Sequence, residues 1–303
     1  MPAMPRFGER TRDRSNAVAP KVTRSSRLAA KSPNREGNAD NSHAIGHSFI
    51  SYGQHGGNSL SRIINGQVTT TASHPHQISL QRWSSTYGVW YHTCGGSIIA
   101  DTWIVTAAHC VDTATASVLQ VVLNDGRLND PSSKAYGVAK IVLHPNYNKG
   151  SSAYPNDIAL LQLTSSADLS GVNGIIALAN NGENFDGQTC ELSGWGHIET
   201  GTSPDKETPN LLQETDGVIY TSSQCSSVWG RNYNSDAHIC IHNPSTGTCQ
   251  GDSGGPMVCY RGDTPVLAGV TSWGASGCGT NYPSVYARVS TYRAWLDQEM
   301  TAL

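Results

Sequence analysis

One serine in this chain stands in a setting that suits a nucleophile. Ser253 follows an acid, Asp252, in the stretch GTCQGDSGGP (residues 247–256), and glycines lie on both sides of the pair. A cluster of glycines usually marks a tight bend or a place where another backbone must come close. A surface turn would explain the stretch equally well, so Ser253 is a candidate nucleophile only if a base can take its proton.

Two further residues could supply that base and the group that orients it. His109 ends an apolar segment in TAAHC, and Asp157 begins another in NDIALL. A histidine can deprotonate a serine when a carboxylate holds its ring in one tautomer. Taken singly, His109 is also explained as a structural histidine and Asp157 as a cap or turn residue. The set of three, rather than any one member, predicts nucleophilic catalysis.

The overall composition is typical of an extracellular protein rich in β-structure. The chain has 303 residues, of which 37% are hydrophobic and only 14% charged, and its net charge is −3. This length allows one large or two medium domains with real cores. The eight cysteines are scattered singly, without a CxxC pair, which favours disulfides in an oxidising compartment over a zinc or redox site. No apolar run approaches the roughly 20 residues that span a bilayer, and nothing indicates nucleic-acid binding.

Basic residues are concentrated at the start of the chain. Residues 1–62 hold ten Lys or Arg and four Asp or Glu, whereas the remainder holds ten and nineteen. Because this segment has few large apolar residues and no cysteine, we interpret it as a disordered leader or propeptide. It lacks the apolar core of a secretory signal, which conflicts with the compartment inferred from the cysteines. We give the cysteines more weight and expect a secreted protein.

From Ile63 onward, short runs of β-branched and aromatic residues alternate with turn residues, which predicts the strands of a sandwich or barrel. Only the last segment, STYRAWLDQEM, predicts a helix, with Ser290 as its cap and Tyr292, Trp295 and Leu296 on one face. A segment rich in Gly, Asn and Ser divides the β-rich body in two. The predicted units are a leader (1–62), an N-terminal half (63–167), a linker (168–187) and a C-terminal half (188–303).

The motifs resemble those of the chymotrypsin family of serine endopeptidases. TAAHC, DIALL, SGWG and GDSGGP occur in this order, and the resemblance covers about residues 63–303. It implies an all-β fold of two antiparallel Greek-key β-barrels with a C-terminal helix and an active site between the barrels. It also implies that His109 is the general base, that Asp157 orients it, and that Ser253 attacks the peptide carbonyl.

The resemblance assigns roles to the backbone around the nucleophile. It implies that the N–H groups of Gly251 and Ser253 form the oxyanion hole, which binds the negative charge of the transition state. A side chain at Gly251 would then crowd the incoming carbonyl. Ser272 supports the triad and, with Trp273, begins the backbone edge along which a substrate pairs as an added strand.

The resemblance also locates a specificity pocket, with Gly247 at its floor and Gly274 and Ser284 in its walls. This floor has no acid, so a buried Arg or Lys side chain would be left unpaired. We therefore expect cleavage after Leu, Met, Phe or Tyr, with shallow discrimination among them. A preference for Ala or Val is the alternative, and it would require neighbouring loops to fill the pocket.

Members of the family are made as inactive precursors that are cut before an IVGG-like sequence, which SRIINGQ (residues 61–67) matches. The resemblance implies that a trypsin-like protease cuts between Arg62 and Ile63. The new amino group of Ile63 then pairs with Asp252 and fixes the oxyanion loop. Ile64 and Asn65 depart from the Val and Gly of the family. The alternative is that Arg62 is one more basic residue of a flexible leader.

Eight cysteines alone permit 105 connectivities. The resemblance selects four pairs: Cys94–Cys110, Cys190–Cys259, Cys225–Cys240 and Cys249–Cys278. None reaches the leader, so the propeptide would not stay attached after cleavage. A loop that holds calcium in some relatives reads NDGRLNDPSSK here and has Ser or Lys in place of its second acid. We therefore expect no metal and no cofactor.

Two classes of function remain at this stage. The first is a monomeric secreted endopeptidase whose partners are peptide or protein substrates, an activating protease and protein inhibitors. The second is an inactive relative that acts as a binding module. Such relatives usually lack a triad member or the cleavage site, and this chain keeps both.

Overall fold

The apolar runs of the sequence form fourteen strands in the computed structural model, which describes residues 63–201 and 208–302. The predicted leader, with Arg62, lies outside the described residues. Within the described part of the chain, no helix is long and apolar enough to cross a membrane.

Six antiparallel strands close the first barrel in the order β2-β3-β4-β7-β6-β5, in which β5 pairs back with β2. These strands are β2 (Gln77–Ser84), β3 (Val89–Ala100), β4 (Trp103–Thr106), β5 (Leu119–Leu123), β6 (Lys134–Leu143) and β7 (Ala159–Leu163).

The second barrel has the ring order β9-β10-β11-β14-β13-β12, and β12 pairs back with β9. Its strands are β9 (Thr189–Gly194), β10 (Gln213–Tyr220), β11 (His238–His242), β12 (Pro256–Arg261), β13 (Thr264–Trp273) and β14 (Ser284–Arg288). Two short strands add to it, since β1 (Gln67–Val68) pairs with β10 and β8 (Ala177–Leu178) pairs with β13.

Both barrels have the same Greek-key connection. In each, three consecutive strands are neighbours, and the fourth returns to lie beside the first, which is the arrangement that defines the motif. The predicted fold of two antiparallel barrels with a C-terminal helix is therefore confirmed.

Alternating side chains of each barrel face inward and build its core. Leu80, Ile98 and Leu161 are fully buried in the first barrel, as are Cys259 and Leu267 in the second. Burying a side chain of leucine size stabilises the fold by about 1.5–3 kcal/mol.

Where the barrels meet, the contacts include hydrogen bonds between polar groups. The N–H of Gly95 donates to the carbonyl of Ser253 at 2.7 Å, and Ser193 Oγ donates to Gln77 Oε1 at 2.7 Å. Satisfied polar contacts of this kind fix the orientation of one barrel on the other.

The four disulfides of the structure join the pairs that the resemblance implied. Cys94–Cys110 ties β3 to the turn that carries His109. Cys249–Cys278 ties the loop before Ser253 to the loop after β13.

The described residues form two α-helices, and both correct details of the sequence analysis. The C-terminal helix α2 (Val289–Thr301) begins before Ser290, so the prediction that Ser290 caps it was wrong; Arg288 is the N-cap and makes no side-chain cap. The expectation of a single helix was also wrong, because α1 (Ser222–Trp229) precedes it. The sequence feature that marks α1 is the capping box of Thr221 and Gln224. Apolar periodicity does not reveal this feature.

The predicted linker, residues 168–187, contains β8 and buries Ile176, Leu178 and Phe185 in the core. Burial of these three side chains holds the segment against the core. The division of the body at this segment stays a prediction.

Candidate active site

Strand pairing brings His109 and Asp157 together. Strands β4 and β7 are antiparallel, and Thr106 at the end of β4 lies opposite Ala159 at the start of β7. His109 follows β4 in a short 3-10 turn, and Asp157 precedes β7. The two residues therefore meet at one rim of the first barrel.

Asp157 holds His109 by two hydrogen bonds. The backbone N–H of His109 donates to Oδ1 at 2.8 Å, and the ring Nδ1 lies 2.6 Å from Oδ2. Since a carboxylate accepts, Nδ1 carries the proton and Nε2, which lies 3.8 Å from Cys110 Sγ, is the unprotonated nitrogen of the neutral ring. The buried Ser272 hydroxyl donates to the same Oδ2 at 2.5 Å, which gives Asp157, itself buried, a third hydrogen bond.

The environment of His109 favours its protonated form. Burial of the ring would lower the pKa of His109, but the hydrogen bond to Asp157 and the negative charge of that group outweigh burial, so its pKa is raised above the ordinary value. A ring whose pKa is raised in this way accepts a proton readily, which is the property that a general base requires.

Ser253 lies in the same cleft as His109, on the loop that leads into β12. Its carbonyl accepts from Gly95, and the next N–H, that of Gly254, donates to the carbonyl of Thr271 at 2.8 Å. A Cβ at Gly254, whose φ is +78°, would overlap Thr106 and Gly95. His109 and Ser253 line one cavity of about 300 Å³, so the structure brings the predicted base and nucleophile to one place.

Two features of the structure require glycine at position 251. Its φ is +99°, a conformation that side chains rarely adopt, and an added Cβ would lie 3.0 Å from the backbone Cα of Gly196. The crowding expected from the sequence therefore has a second source, the neighbouring backbone of the SGWG motif.

A histidine that the sequence analysis did not select supports this loop. His92 Nε2 lies 3.0 Å from the carbonyl oxygen of Gly251, so Nε2 is the protonated nitrogen. Its other nitrogen, Nδ1, is 2.9 Å from Ser79 Oγ, which must then donate. Burial lowers the pKa of His92 to about 4, so the ring stays neutral. A histidine two residues before Cys94 carries no sequence signal of this role.

Asp252, between Gly251 and Ser253, is fully buried. Its carboxylate accepts from the N–H groups of Gly196 and Cys249, each at 2.8 Å. A Cβ at Gly194 or Gly196 would overlap the carboxylate, which explains both glycines of SGWG. Burial raises the pKa of Asp252 to about 6, against the effect of the two N–H donors. Among the described residues, no Lys, Arg or His forms an ion pair with it.

The first residues of the described chain lie next to Gly247, which the sequence analysis assigned to the specificity pocket. Ile63 is fully buried, and Ile64 forms a β-bridge with Gly247. Asn65 has a φ of +54° and donates from Nδ2 to the carbonyl of Ser245 at 2.7 Å. Asparagine tolerates the left-handed conformation better than most residues do, so it can take the place of the glycine usual in the family.

The raised pKa of Asp252 predicts a pH dependence of stability in the uncut chain. A group whose pKa rises on folding, here from 3.8 to about 6, gives stability that is present below pH 3.8 and lost as the pH rises through 6. The loss amounts to about 3 kcal/mol. In an uncut Ser253→Ala background, denaturant unfolding at pH 4 and pH 7 measures it.

Asp252→Asn is the matched variant for this measurement. It should reduce the difference between the free energies of unfolding at the two pH values by about 2 kcal/mol, because the unfolded carboxyl is already partly ionised at pH 4. An identical pH dependence with and without the substitution would contradict the prediction.

The predicted pocket residues line one end of the cleft. Gly247, Gly274 and Ser284 lie there with Thr280 and Tyr282, and His109 is the only titratable group besides tyrosine among the described residues that line it. Trp273 and Ser272 form its edge. A Cβ at Gly247 would meet its nearest neighbours, Ser284 and Thr280, at 3.9 Å, so position 247 has room for a side chain.

One group of candidate metal ligands occurs among the described residues, namely Cys94, His109 and Cys110. The two sulfur atoms form a disulfide with each other, so they are not available as thiolate ligands. This cluster is therefore a disulfide beside His109 rather than a set of three available metal ligands.

Comparison with known proteins bears on the same part of the chain. Residues 63–296 match the family model described as "Trypsin". The "Fibrinolytic enzyme, isozyme C" of Lumbricus rubellus is 39% identical over 77% of this chain and 98% of its own length. The "Chymotrypsin-like serine proteinase" of Haliotis rufescens is 37% identical over 78% and 91%. The "Chymotrypsin-like elastase family member 1" of Bos taurus is 36% identical over 80% and 90%.

Proposed function

The chain belongs to the trypsin family of serine endopeptidases, and from this premise we propose that it is a secreted zymogen that cleaves after medium to large apolar residues. Cleavage between Arg62 and Ile63 activates it. The observation that carries the proposal is the buried network of Asp157, His109 and Ser272 at the wall of a cleft that also holds Ser253.

The reaction proceeds through an acyl-enzyme. Ser253 Oγ attacks the carbonyl carbon of the peptide while His109 Nε2 takes the hydroxyl proton, and the carbonyl oxygen becomes an oxyanion. The N–H groups of Gly251 and Ser253 bind this oxyanion. The C–N bond then breaks as His109 gives its proton to the departing amine. A water molecule repeats the sequence on the ester and releases the acid and the free Ser253.

Asp157 contributes through His109. Its hydrogen bond to Nδ1 keeps the proton on that nitrogen, so Nε2 has a free lone pair for the hydroxyl proton of Ser253. Once His109 is protonated, the buried charge of Asp157 stabilises the imidazolium. Ser272 holds the carboxylate in the orientation that both tasks need.

Two features support activation by cleavage. Asp252 is a fully buried carboxylate with two neutral donors and a pKa raised to about 6, so a cation beside it would stabilise its charge. Ile63 has a φ of +50°, which strains a β-branched residue by about 1–3 kcal/mol. The φ angle of Ile63 includes the carbonyl carbon of the preceding residue. Cutting the peptide bond before Ile63 releases that carbon, so the backbone strain is relieved when the cationic amino group forms.

Secretion is supported by the four disulfides, which persist in oxidising compartments. An activating protease with trypsin-like specificity, protein inhibitors and a monomeric state complete the proposal.

The proposed specificity predicts the rates for a series of peptides that differ only in the residue before the cut bond. With no charge at Gly247 or Ser284, a buried Arg or Lys would be unpaired, so kcat/KM after Leu or Phe should exceed that after Arg or Lys by more than about tenfold. Faster cleavage after Arg or Lys would overturn the proposal. An optimum at Ala would instead support the elastase-like alternative.

Gly247→Asp provides the matched variant for this series. The floor accommodates a Cβ without overlap, and the new carboxylate would face the pocket. The ratio of kcat/KM for Arg to that for Leu should rise by at least about tenfold, because a charge-assisted hydrogen bond becomes available. An unchanged ratio in a folded variant would mean that Gly247 is not the floor.

A further inference from the structure

A buried histidine outside the triad lies in the second barrel, next to the cleft. His238 is the first residue of β11, and only 1% of it is exposed. Its ring centroid lies 5.6 Å from that of Trp273, at the edge of the cleft. A polar ring is costly to bury unless its nitrogens have hydrogen-bond partners, and each nitrogen of His238 has one.

These two hydrogen bonds fix which nitrogen of His238 carries the proton. The backbone N–H of Asn234 donates to Nδ1 at 3.1 Å, so Nδ1 is unprotonated and Nε2 carries the proton of the neutral ring. Nε2 donates to the carbonyl oxygen of Tyr154, which is 3.5 Å away. Burial lowers the pKa of His238, so the ring keeps this neutral form at neutral pH.

The contact with Tyr154 joins the second barrel to a loop of the first. Tyr154 lies between β6 and β7, three residues before Asp157. A shorter hydrogen bond runs beside the contact with His238, since the N–H of Ala153 donates to the carbonyl of Asn232 at 2.9 Å. The second barrel therefore holds two consecutive residues of the loop that leads into the carboxylate of the triad.

Tyr154 is held in a backbone conformation that tyrosine rarely adopts. Its φ is +42°, and that of Asn156 is +56°. A positive φ is uncommon for a bulky residue and persists where surrounding contacts fix it. The contacts of Tyr154 with His238 and of Ala153 with the second barrel are of this kind. Loosening them would let the Tyr154 backbone relax and its side chain change direction.

The side chain of Tyr154 packs against the general base. Its ring centroid lies 5.6 Å from that of His109, with an angle of 61° between the ring planes, which is a favourable edge-to-face geometry. Both side chains line the cleft that also holds Ser253. Asp157 holds the His109 ring at Nδ1, and the Tyr154 ring packs beside it, so the position of Tyr154 bears on the orientation of His109.

We propose that His238 is a positioning residue of the active site, which holds the carbonyl of Tyr154 and so keeps the Tyr154 ring against His109. The inference rests on the endopeptidase function proposed above. His109 and Asp157 belong to the first barrel, whereas Ser253 lies on a loop of the second. Proton transfer needs base and nucleophile at a fixed separation, and His238 links the barrel of the nucleophile to the base.

Two substitutions separate the two hydrogen bonds of the His238 ring. His238→Gln places an amide N–H near the position of Nε2 and can still donate to Tyr154. His238→Asn is shorter, so its amide lies near the position of Nδ1 and does not reach Tyr154. Both variants lose the ring and its contact with Trp273, so each controls for the other. Tyr233→Phe is a further control, because it removes only the hydroxyl that donates to the carbonyl of His238 at 3.0 Å.

Kinetics on the activated full chain test the proposal, with active sites counted by titration and N-acetyl-leucine p-nitroanilide as substrate. His238→Asn should lower kcat about tenfold and change KM less than twofold, because the base is displaced while the specificity pocket is intact. His238→Gln should keep at least about half of the parent kcat, and Tyr233→Phe should match the parent. Equal losses of kcat in His238→Asn and His238→Gln, or an effect on KM alone, would overturn the proposal.

A double-mutant cycle tests whether Tyr154 transmits the effect. Tyr154→Ala alone should lower kcat on the same substrate by a similar factor. Adding His238→Asn to it should lower kcat less than about twofold further, because the ring that His238 positions is already gone. If the two losses multiplied, His238 would act by another route and the proposal would be wrong.

The NMR signals of labelled histidine rings give a readout that needs no catalysis. In a Ser253→Ala background, the His109 signal should move in His238→Asn toward its position in Tyr154→Ala, and it should stay near the parent position in His238→Gln. An unmoved signal in His238→Asn would refute the proposal. A parent enzyme that cuts no substrate would refute the proposed function and leave this comparison decisive.

The spectrum of the parent tests the geometry even where His238→Asn does not fold. The nitrogen shifts of the His238 ring should show a protonated Nε2 and an unprotonated Nδ1, because Nδ1 accepts from Asn234 and Nε2 donates to Tyr154. A ring with its proton on Nδ1 has no donor for the Tyr154 carbonyl, so that result would refute the proposal.

Discussion

Replacing Ser253 by alanine is expected to lower kcat by roughly five to six orders of magnitude, with little change in the free energy of unfolding. The nucleophile of a serine endopeptidase forms the acyl bond itself, so no neighbouring group replaces it. The Ser253 side chain makes none of the hydrogen bonds described for its loop, which come from the backbone of Ser253, Gly254 and Gly255 and from the side chains of His92 and Asp252. The substitution should therefore lower the rate of the chemical step without lowering the stability of the fold.

His109→Ala should cost about as much as Ser253→Ala, and combining the two should add little. The base acts only on the proton of Ser253, so either change alone already removes the same step. Single-turnover kinetics of the three variants with one ester substrate measures this. If the two substitutions acted independently, their effects on the rate constant would multiply in the double variant. Such a result would mean that His109 is not the base for Ser253.

Labelling with a fluorophosphonate gives the companion measurement. The reagent bonds to an activated serine, so it should modify the activated parent and leave Ser253→Ala blank. Ser227→Ala, an exposed serine on α1, is the control that should label like the parent. A parent that remains unlabelled would favour the inactive binding module over the enzyme.

The sequence predicted the parts of the site that depend on local patterns. His109 and Asp157 border apolar segments that become β4 and β7, and the pairing of those strands turns two distant motifs into one contact of 2.6 Å. The Greek-key barrels followed from the family resemblance, since short apolar runs are equally compatible with a sandwich.

What the sequence did not predict depends on contacts between distant segments. His92 and Ser79 support the loop of Gly251 from the other barrel, and no motif marks them. The overlap that makes Gly194 and Gly196 necessary becomes visible only when Asp252 is placed beside them. The exposure of Trp83, Trp90 and Tyr91 in β2 and β3 was also not predicted, because Trp and Tyr in a strand usually indicate a core face.

Asp252→Asn is expected to leave a protein that is cut after Arg62 yet hydrolyses peptides about a hundredfold to several thousandfold more slowly. In the cut parent, the amino group of Ile63 and the carboxylate of Asp252 would form a buried ion pair beneath the oxyanion loop. Removing one member of such a pair costs about 3–5 kcal/mol, which corresponds to two to three and a half orders of magnitude in a rate. Active-site titration and kcat/KM on one ester, with cleavage checked by mass, measure the effect.

The direction of the pH effect distinguishes this ion pair from a merely structural role of Asp252. At alkaline pH the Ile63 amino group loses its proton, and the ion pair loses its cation. The activity of the cut parent should therefore fall at alkaline pH. The activity of Asp252→Asn, which is already low, should change little. Arg62→Gln blocks the cut and is the matched control; it should be at least about a hundredfold less active than the cut parent at neutral pH, and this difference should narrow as the parent loses activity at alkaline pH. Because Ile63 reaches its buried position in the uncut chain only with a strained φ, burial of its side chain alone should not activate the enzyme. Full activity of an intact Arg62→Gln chain would show that the oxyanion loop does not need the new amino group of Ile63.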